Sequence, residues 1–508
     1  MLELFIPPTI TPENPPLVAQ VTTEEEFLPH QLPLPDGDLT IEDLLEPAQP
    51  AVIVEYQPIL ALPGRLNDVP VFNSNSPEII TEEGILLSTF PKSGKANPYA
   101  HLETSLDGRF DIFTHHISRP AGAPRTLYQG LLVSNPTGQP KTLKILQGLS
   151  YLNSEDAPFR ELPPFVEDPD GYVFSGPGSR LAGDLLRGKT QRDFPEEIRI
   201  APYTTQLLFS LPIPASSSRS TYLQLESSGT LYLANLAKYE VEDFVRVEPE
   251  VPFDLDLRKE IPDSIEEIFR EQEKGAGSEP QFIVRPPVLD EWRSLLTQGR
   301  LVGPRDLAPI PTRDGSRIIY GRVAGITLGS QWRSTVGDRR NNSELAIPER
   351  GKAVSFPIST TTTGTFNTEQ VHSAPMLARY ADTALQGHGN YLVHYDLTFP
   401  LVNETKKKQR VALTFQTPIK QDQYSDRLTF FDPPPQQVFF RGTVRVRYPD
   451  QSGKEVERYV HLVQHRGEKG QPLATFDIPA GDRRTAKVDF FYPPDATPPQ
   501  VITITTLD

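Results

Sequence analysis

Thr221-Tyr222-Leu223-Gln224-Leu225-Glu226-Ser227-Ser228-Gly229-Thr230-Leu231-Tyr232-Leu233 is the stretch that decides the class of fold. Leu223 and Leu225 alternate with polar residues, and Leu231 and Leu233 resume the alternation beyond Ser227-Ser228-Gly229. An apolar residue at every second position is what one buried face of a pleated strand requires. The Ser-Ser-Gly break between two such runs reads as a hairpin turn.

The same period extends to either side. Residues 126–134 read as a strand, Asn135-Pro136-Thr137-Gly138-Gln139-Pro140 as a turn, and 141–146 as the returning strand. Ile198, Ile200 and residues 206–211 add further strands, with one short helix expected at 180–186 after a glycine-rich turn. Period two returns from about residue 318. Tyr391, Val393, Tyr395, Leu397 and Phe399 share a face, and Val411, Leu413 and Phe415 follow a Lys406-Lys407-Lys408 turn. Later strands are expected at 438–447, 456–465, 487–492 and 501–507. No repeat of fixed short period is visible; at most the two halves share a class.

Between these regions lies a helical connector. Ser264 and Glu267 form a capping box for one helix that Gly275 ends. A second helix is expected over 289–298, with Leu289, Trp292, Leu295 and Leu296 on one face and Gly299 closing it. It is expected to pack on one of the sandwiches. Residues 1–54 hold ten Asp/Glu, ten Pro and no Lys or Arg, so they carry −10 of the net −16 and leave −6 for the rest. Such a segment buries too little apolar surface to offset its ordering entropy. The expected fold is therefore all-β: two antiparallel β-sandwich-like domains joined by a short helical connector, with a disordered acidic N-terminal arm. The divisions fall at 1–54, 55–245, 246–305 and 306–508.

Composition narrows the function. The chain of 508 residues has 53 prolines, about twice the usual share, and no cysteine. Proline suits strand edges and turns, while the missing thiols exclude disulfides, thiolate nucleophiles and zinc ribbons. The acidic balance argues against nucleic acid as a partner. No stretch approaches the ~20 apolar residues of a membrane span, and no basic and apolar export signal is legible at the start.

Motif by motif, chemistry is sparse. His461 and His465 lie ~13 Å apart on a regular strand, and the adjacent His115 and His116 point to opposite faces. No metal site is expected. Asp168-Pro169-Asp170-Gly171 begins like a calcium loop, but Ser179 stands where the bidentate Glu belongs, so a turn with solvated carboxylates is expected. Ser175-Gly176-Pro177-Gly178-Ser179 reads as an ordinary turn into a helix rather than a phosphate loop. No nucleophile elbow is present, so no catalytic residue and no cofactor is assigned. Ser359-Thr360-Thr361-Thr362-Thr363 reads as an exposed strand or loop. Two polar-aromatic clusters remain as binding surfaces. One contains Arg322 and Trp332; the other contains Arg379, Tyr380, His388, Asn390 and Tyr391. Trp332 and Tyr391 sit in β patterns where burial is the commoner outcome.

Several long strings carry a family resemblance. They include Pro63-Gly64-Arg65-Leu66, Val69-Pro70-Val71-Phe72-Asn73-Ser74-Asn75-Ser76-Pro77-Glu78 and Gly84-Ile85-Leu86-Leu87-Ser88-Thr89-Phe90. Further along come Gly108-Arg109-Phe110-Asp111-Ile112-Phe113-Thr114-His115-His116-Ile117, Gly303-Pro304-Arg305-Asp306 and Tyr320-Gly321-Arg322-Val323-Ala324-Gly325. His388-Gly389-Asn390-Tyr391 and the ending from Tyr492-Pro493-Pro494-Asp495 onward complete the set. From about residue 56 to the end the chain resembles the bacterial "domain of unknown function 3370" family, associated with cyanobacteria. That resemblance implies no catalytic residues and an exported protein, periplasmic or extracellular. The start of the chain shows no signal, which keeps a cytoplasmic scaffold as the alternative. The expectation is a non-enzymatic cell-envelope protein, structural or binding, with an envelope protein or polysaccharide as partner. The rival is a carbohydrate-active or carbohydrate-binding protein. Nothing in the sequence sets an oligomeric state.

Overall fold

A computed structural model describes residues 50–154, 159–245, 281–303, 305, 307–310, 319–337 and 343–508. The acidic arm lies outside the described residues as far as 49, and its last part is instead a strand, Ala51–Tyr56. The first connector helix, expected up to Gly275, also lies outside them.

The described chain is built on a stack of four β-sheets, the first two continuous through a shared strand. Two two-stranded ribbons lie beside them, one of them Val241–Val245 with Gln281–Arg285. The first sheet holds strands Gly84–Ser88, Leu127–Ser134 and Thr205–Ile213 with the second half of Ser218–Tyr239. The second holds Leu106–Ser118, Lys141–Asn153, Glu197–Ile200 and Pro70–Ser74 with the first half of that same strand. The 22-residue strand Ser218–Tyr239 thus belongs to both sheets. The hairpin expected at Ser227-Ser228-Gly229 is not formed. The register jumps between Ser227 and Leu231, and the chain bends through Gly229 from one sheet into the other. Leu223, Leu225, Leu231 and Leu233 still all face one core, which explains why the alternation looked uninterrupted.

The third sheet is mixed: Gln331–Thr335 and Leu345–Ala346 run parallel to His394–Val402, which pairs antiparallel with Arg483–Phe491. Val438–Pro449, Glu455–His465 and Phe165–Glu167 extend it. The fourth is Ala353–Ile358, Gln500–Thr506, Gln409–Gln416 and Pro472–Ile478. Tyr395, Leu397, Phe399 and Leu401 pack with Val411, Leu413 and Phe415 in the core between them.

Pairing crosses the divisions drawn at 245 and 306. Ala324–Leu328 joins Pro70–Ser74 in the second sheet, followed by Ala374–Arg379. In return Phe165–Glu167 adds to the third sheet, and Ala51–Tyr56 forms a ribbon with Arg427–Asp432. Residues 50–508 form one compact unit.

Both expected helices within the described residues are present, Pro177–Leu186 and Leu289–Gln298. The second packs Trp292 and Leu296 on the outer face of the first sheet with Leu132 and Leu236. Its indole lies over Gly130, where an added Cβ would meet the ring at 2.7 Å.

The two sandwiches are the same unit twice. Ser134 opposes Thr205 as Val402 opposes Arg483, and Lys141 opposes Ile200 as Gln409 opposes Ile478. Leu143 opposes Ser227 as Val411 opposes Thr506. The connecting arches share their side-chain bonding too. Asn135 Nδ2 donates to the carbonyls of Gln139 (2.8 Å), Ile200 (3.2 Å) and Ala201 (3.1 Å). Asn403 Nδ2 donates to those of Lys407 (2.8 Å), Ile478 (2.9 Å) and Pro479 (3.0 Å). In each arch the Thr two residues on returns its N–H to the Asn Oδ1 at 3.0 Å. The expected return of 141–146 on 126–134 is therefore an arch between two sheets, not a hairpin within one.

Candidate functional site

The two sandwiches meet across the helix Pro177–Leu186. Its Leu181, Ala182, Leu185 and Leu186 pack on Phe113, Leu149 and Tyr222 of the second sheet and on Phe491 of the third. Around this apolar centre the seam also buries polar groups.

Beside the helix a cleft of about 410 Å³ is lined by Asn73, Asn75, Tyr222, His388, Asn390 and Tyr391, among others. Only about 20 Å³ of it admits the centre of a water molecule, room for roughly one water. Asn73 and Asn75, two apart in an extended segment, present the same face. The Oδ1 atoms of Asn73, Asn75 and Asn390 are buried with no protein partner. Each such acceptor costs about 1–3 kcal/mol unless a donor reaches it, so the cleft is built to hold a small hydrogen-bond donor, water first.

Next to the cleft lies a charged cluster. His115 Nδ1 is 2.8 Å from Ser220 Oγ, and its Nε2 is 3.5 Å from Glu78 Oε1. Glu78 also pairs with Arg322. Burial opposes ionisation of Glu78, but the His115 hydrogen bond and the Arg322 charge hold its carboxyl below the usual range. Serine, imidazole and carboxylate in a row suggest acyl transfer. However, Ser220 is 0% exposed on an interior strand, so no acyl group reaches it. The row is an internal tie. His116 faces the opposite way, as its position predicts. Its Nδ1 bonds the Pro77 carbonyl at 2.9 Å, Asn235 Nδ2 approaches its Nε2 at 3.3 Å, and burial pushes its pKa down to about 3.

Asp495 closes the far end of the seam. Its oxygens are sealed from solvent without a hydrogen-bond partner. They press on the start of the helix, where a Cβ on Gly176 or Gly178 would come within 2.8 or 2.9 Å of them. Burial pushes this carboxyl up to about 6, against the pull of Arg441.

The seven residues selected from the sequence are distributed unevenly. His388, Asn390 and Tyr391 line the cleft. Burial lowers the pKa of His388 and raises that of Tyr391 to about 12. Asn390 Nδ2 donates to the His372 carbonyl (2.8 Å) and to Tyr395 Oη (2.9 Å). Arg322 stands beside them, half-exposed, through Glu78. Trp332 is only 4% exposed; its indole N–H donates to the Pro63 carbonyl at 3.0 Å and its ring lies 4.2 Å from that of His372. Tyr380 is buried elsewhere, donating to the Ala100 carbonyl (2.8 Å) and accepting from the Ser88 N–H (3.0 Å). Arg379 braces its own turn through the carbonyls of Tyr380, Ala381 and Thr383.

Sequence reasoning missed Glu78, His115, Ser220 and Asp495. Only the alternation of Asn73 and Asn75 was readable as a shared face. It also expected solvated carboxylates at Asp168, which is buried instead: its Oδ1 accepts from the N–H groups of Tyr172 (2.9 Å) and Val173 (3.1 Å), and its Oδ2 pairs with Arg187 at 2.9 Å. Ser359, Thr360 and Thr361, expected exposed, are buried as well. Among the described residues no group of three or more His, Cys, Asp or Glu is placed to hold a metal ion. No described helix is long and apolar enough to cross a membrane.

Fold and seam together define a mainly β, cysteine-free, doubled sandwich with a partly polar seam between its two units. The chain belongs to the family described as "Protein of unknown function (DUF3370)", whose profile matches residues 57–506. No curated protein matches it. Among solved structures, the CupB6 tip adhesin from Pseudomonas aeruginosa aligns at 12% identity over 87% of this chain and 98% of that chain, with a TM-score of 0.12. Recombinant pro-11S globulin of pumpkin aligns at 11% identity over 84% and 86%, with a TM-score of 0.09. At such scores neither similarity carries an argument about fold or function.

Proposed function

We propose that this protein is a non-catalytic component of the bacterial cell envelope, a rigid double sandwich that presents a binding surface. The observation that carries this reading is the use made of the sequence-selected polar and aromatic residues. Trp332 and Tyr380 tie segments far apart in the chain, Asn390 is held by His372 and Tyr395, and Ser220 of the Ser220–His115–Glu78 row is fully buried. Groups so engaged hold a shape instead of meeting a substrate. The family resemblance supports export, and its partner would be an envelope protein or polysaccharide. The carbohydrate-active alternative loses its aromatic platform, since Trp332 is buried and Tyr391 stacks on Tyr492.

The test is twofold. Purified protein is expected to show no saturable turnover on ester, peptide and glycoside substrates; saturable turnover abolished by Ser220→Ala or Glu78→Gln overturns the non-catalytic reading. Antibody detection after cell fractionation is expected to find the protein outside the cytoplasm, and its recovery with cytoplasmic markers overturns the envelope reading.

A further inference from the structure

The broad faces of the stacked sheets are covered differently. The outer face of the first sheet lies under the helix Leu289–Gln298, and the second and third sheets meet across Pro177–Leu186. The outer face of the fourth sheet is roofed at one end, where Ile59, Phe366, Leu428 and Phe430 pack on Val501. Beside that roof runs a groove with about 400 Å³ open to the centre of a water molecule, against about 20 Å³ in the seam cleft, and within the ~300–1,000 Å³ of ligand pockets. Its floor includes Ala412, Thr414, Thr503 and Thr505, and Tyr56 stands at its edge.

The doubled architecture places the groove in register: Phe356 opposes Ile502 as Ile112 opposes Leu223. Thr503 and Thr505 therefore match Gln224 and Glu226, polar positions of the second-sheet face, rather than the Phe113, Leu149 and Tyr222 on which the helix packs. The groove carries alanine and threonine, so an apolar helix or peptide finds no complementary floor there.

Several observations point to a sugar. Among the described residues the side chains of Thr414 and Thr505 make no hydrogen bond. Gln416 donates its amide to Thr503 Oγ1 at 2.8 Å, while its Oε1 is buried without a partner. Lys469 at the rim is neutralised by Glu55, so the groove favours neither anion nor cation. Tyr56 is 69% exposed, and the Arg427 guanidinium braces its ring at 5.0 Å and that of Tyr424 at 4.1 Å. A ring with an apolar face beside free hydroxyls matches a sugar, whose C–H face is apolar and whose rim is hydroxylated.

We infer that this groove binds a neutral glycan chain. The inference rests on the reading of the protein as a binding component, and it supplies the ligand class. The test is affinity electrophoresis of the full chain through gels containing a neutral glucan, mannan or galactan, with release of reducing ends measured in parallel. The wild type is expected to be retarded by at least one of them, and retardation should persist in high salt. Tyr56→Ala, which removes an exposed side chain, is expected to weaken binding on the order of tenfold. Thr505→Trp, which fills the groove, is expected to abolish it. Absence of retardation on all three, or equal retardation of both variants, overturns the inference. Retardation seen only at low salt also overturns it, because a charge-driven surface is then at work. Release of reducing ends together with groove-dependent binding leaves the ligand class standing and overturns the non-catalytic reading instead.

Discussion

Asp495 shows how one side chain can bias a whole seam. Its folded pKa of about 6 lies above the ordinary aspartate value of 3.8, so the folded state holds the proton more tightly than the unfolded one. The stability it contributes is complete below pH ~4 and is lost as pH rises through about 6. Asp495→Asn keeps the shape and removes the charge. It is expected to stabilise the protein at pH 7.5 by on the order of 2 kcal/mol and to converge with wild type near pH 4. Thermal melts of both proteins across that range check the sign; a variant less stable at pH 7.5 would show that the carboxylate has a partner. Nothing in Pro493-Pro494-Asp495 announces this burial, because the glycines it rests on lie far away in sequence, at 176 and 178. The same limit applied to Trp332: its alternating neighbours marked a strand, but whether its ring faced solvent depended on His372 and Pro63, which the fold brings to it.

At the level of elements, boundaries were readable and partners were not. The helix Leu289–Gln298 follows from its apolar spacing and Gly299, and the strand around Tyr395 and Phe399 from strict alternation. Turn residues, by contrast, say that the chain reverses and not whether it returns to the same sheet. Asn135–Pro140 therefore read as a hairpin although it arches to the opposite layer. The packing of helix on sheet offers a direct check. Gly130→Ala places a methyl within 2.7 Å of the Trp292 indole and is expected to cost about 1–3 kcal/mol in denaturant titration. In a Trp292→Leu background the same substitution should cost much less, since the ring that clashes is gone. Additive costs would mean that the helix does not pack there.

For the molecule as a whole, strand exchange between the sandwiches predicts their cooperativity. Ala324–Leu328 and Ala374–Arg379 leave the C-terminal half to complete the second sheet, while Phe165–Glu167 completes the third. Neither unit is whole without the other, so calorimetry is expected to show a single transition with equal calorimetric and van't Hoff enthalpies. Two separate transitions would show that the exchanged strands contribute little. The arrangement of the two units has a further consequence. The seam joins the second-sheet face of one copy to the third-sheet face of the next, two different surfaces of a repeated unit. Such a joint is heterologous, and nothing in its geometry prevents a third unit from adding by the same rule. A molecule built this way has polymer ends, and each must be stopped. One end is closed by the helix carrying Trp292, and at the other the fourth sheet presents threonine and alanine, which offer an apolar helix no complementary face.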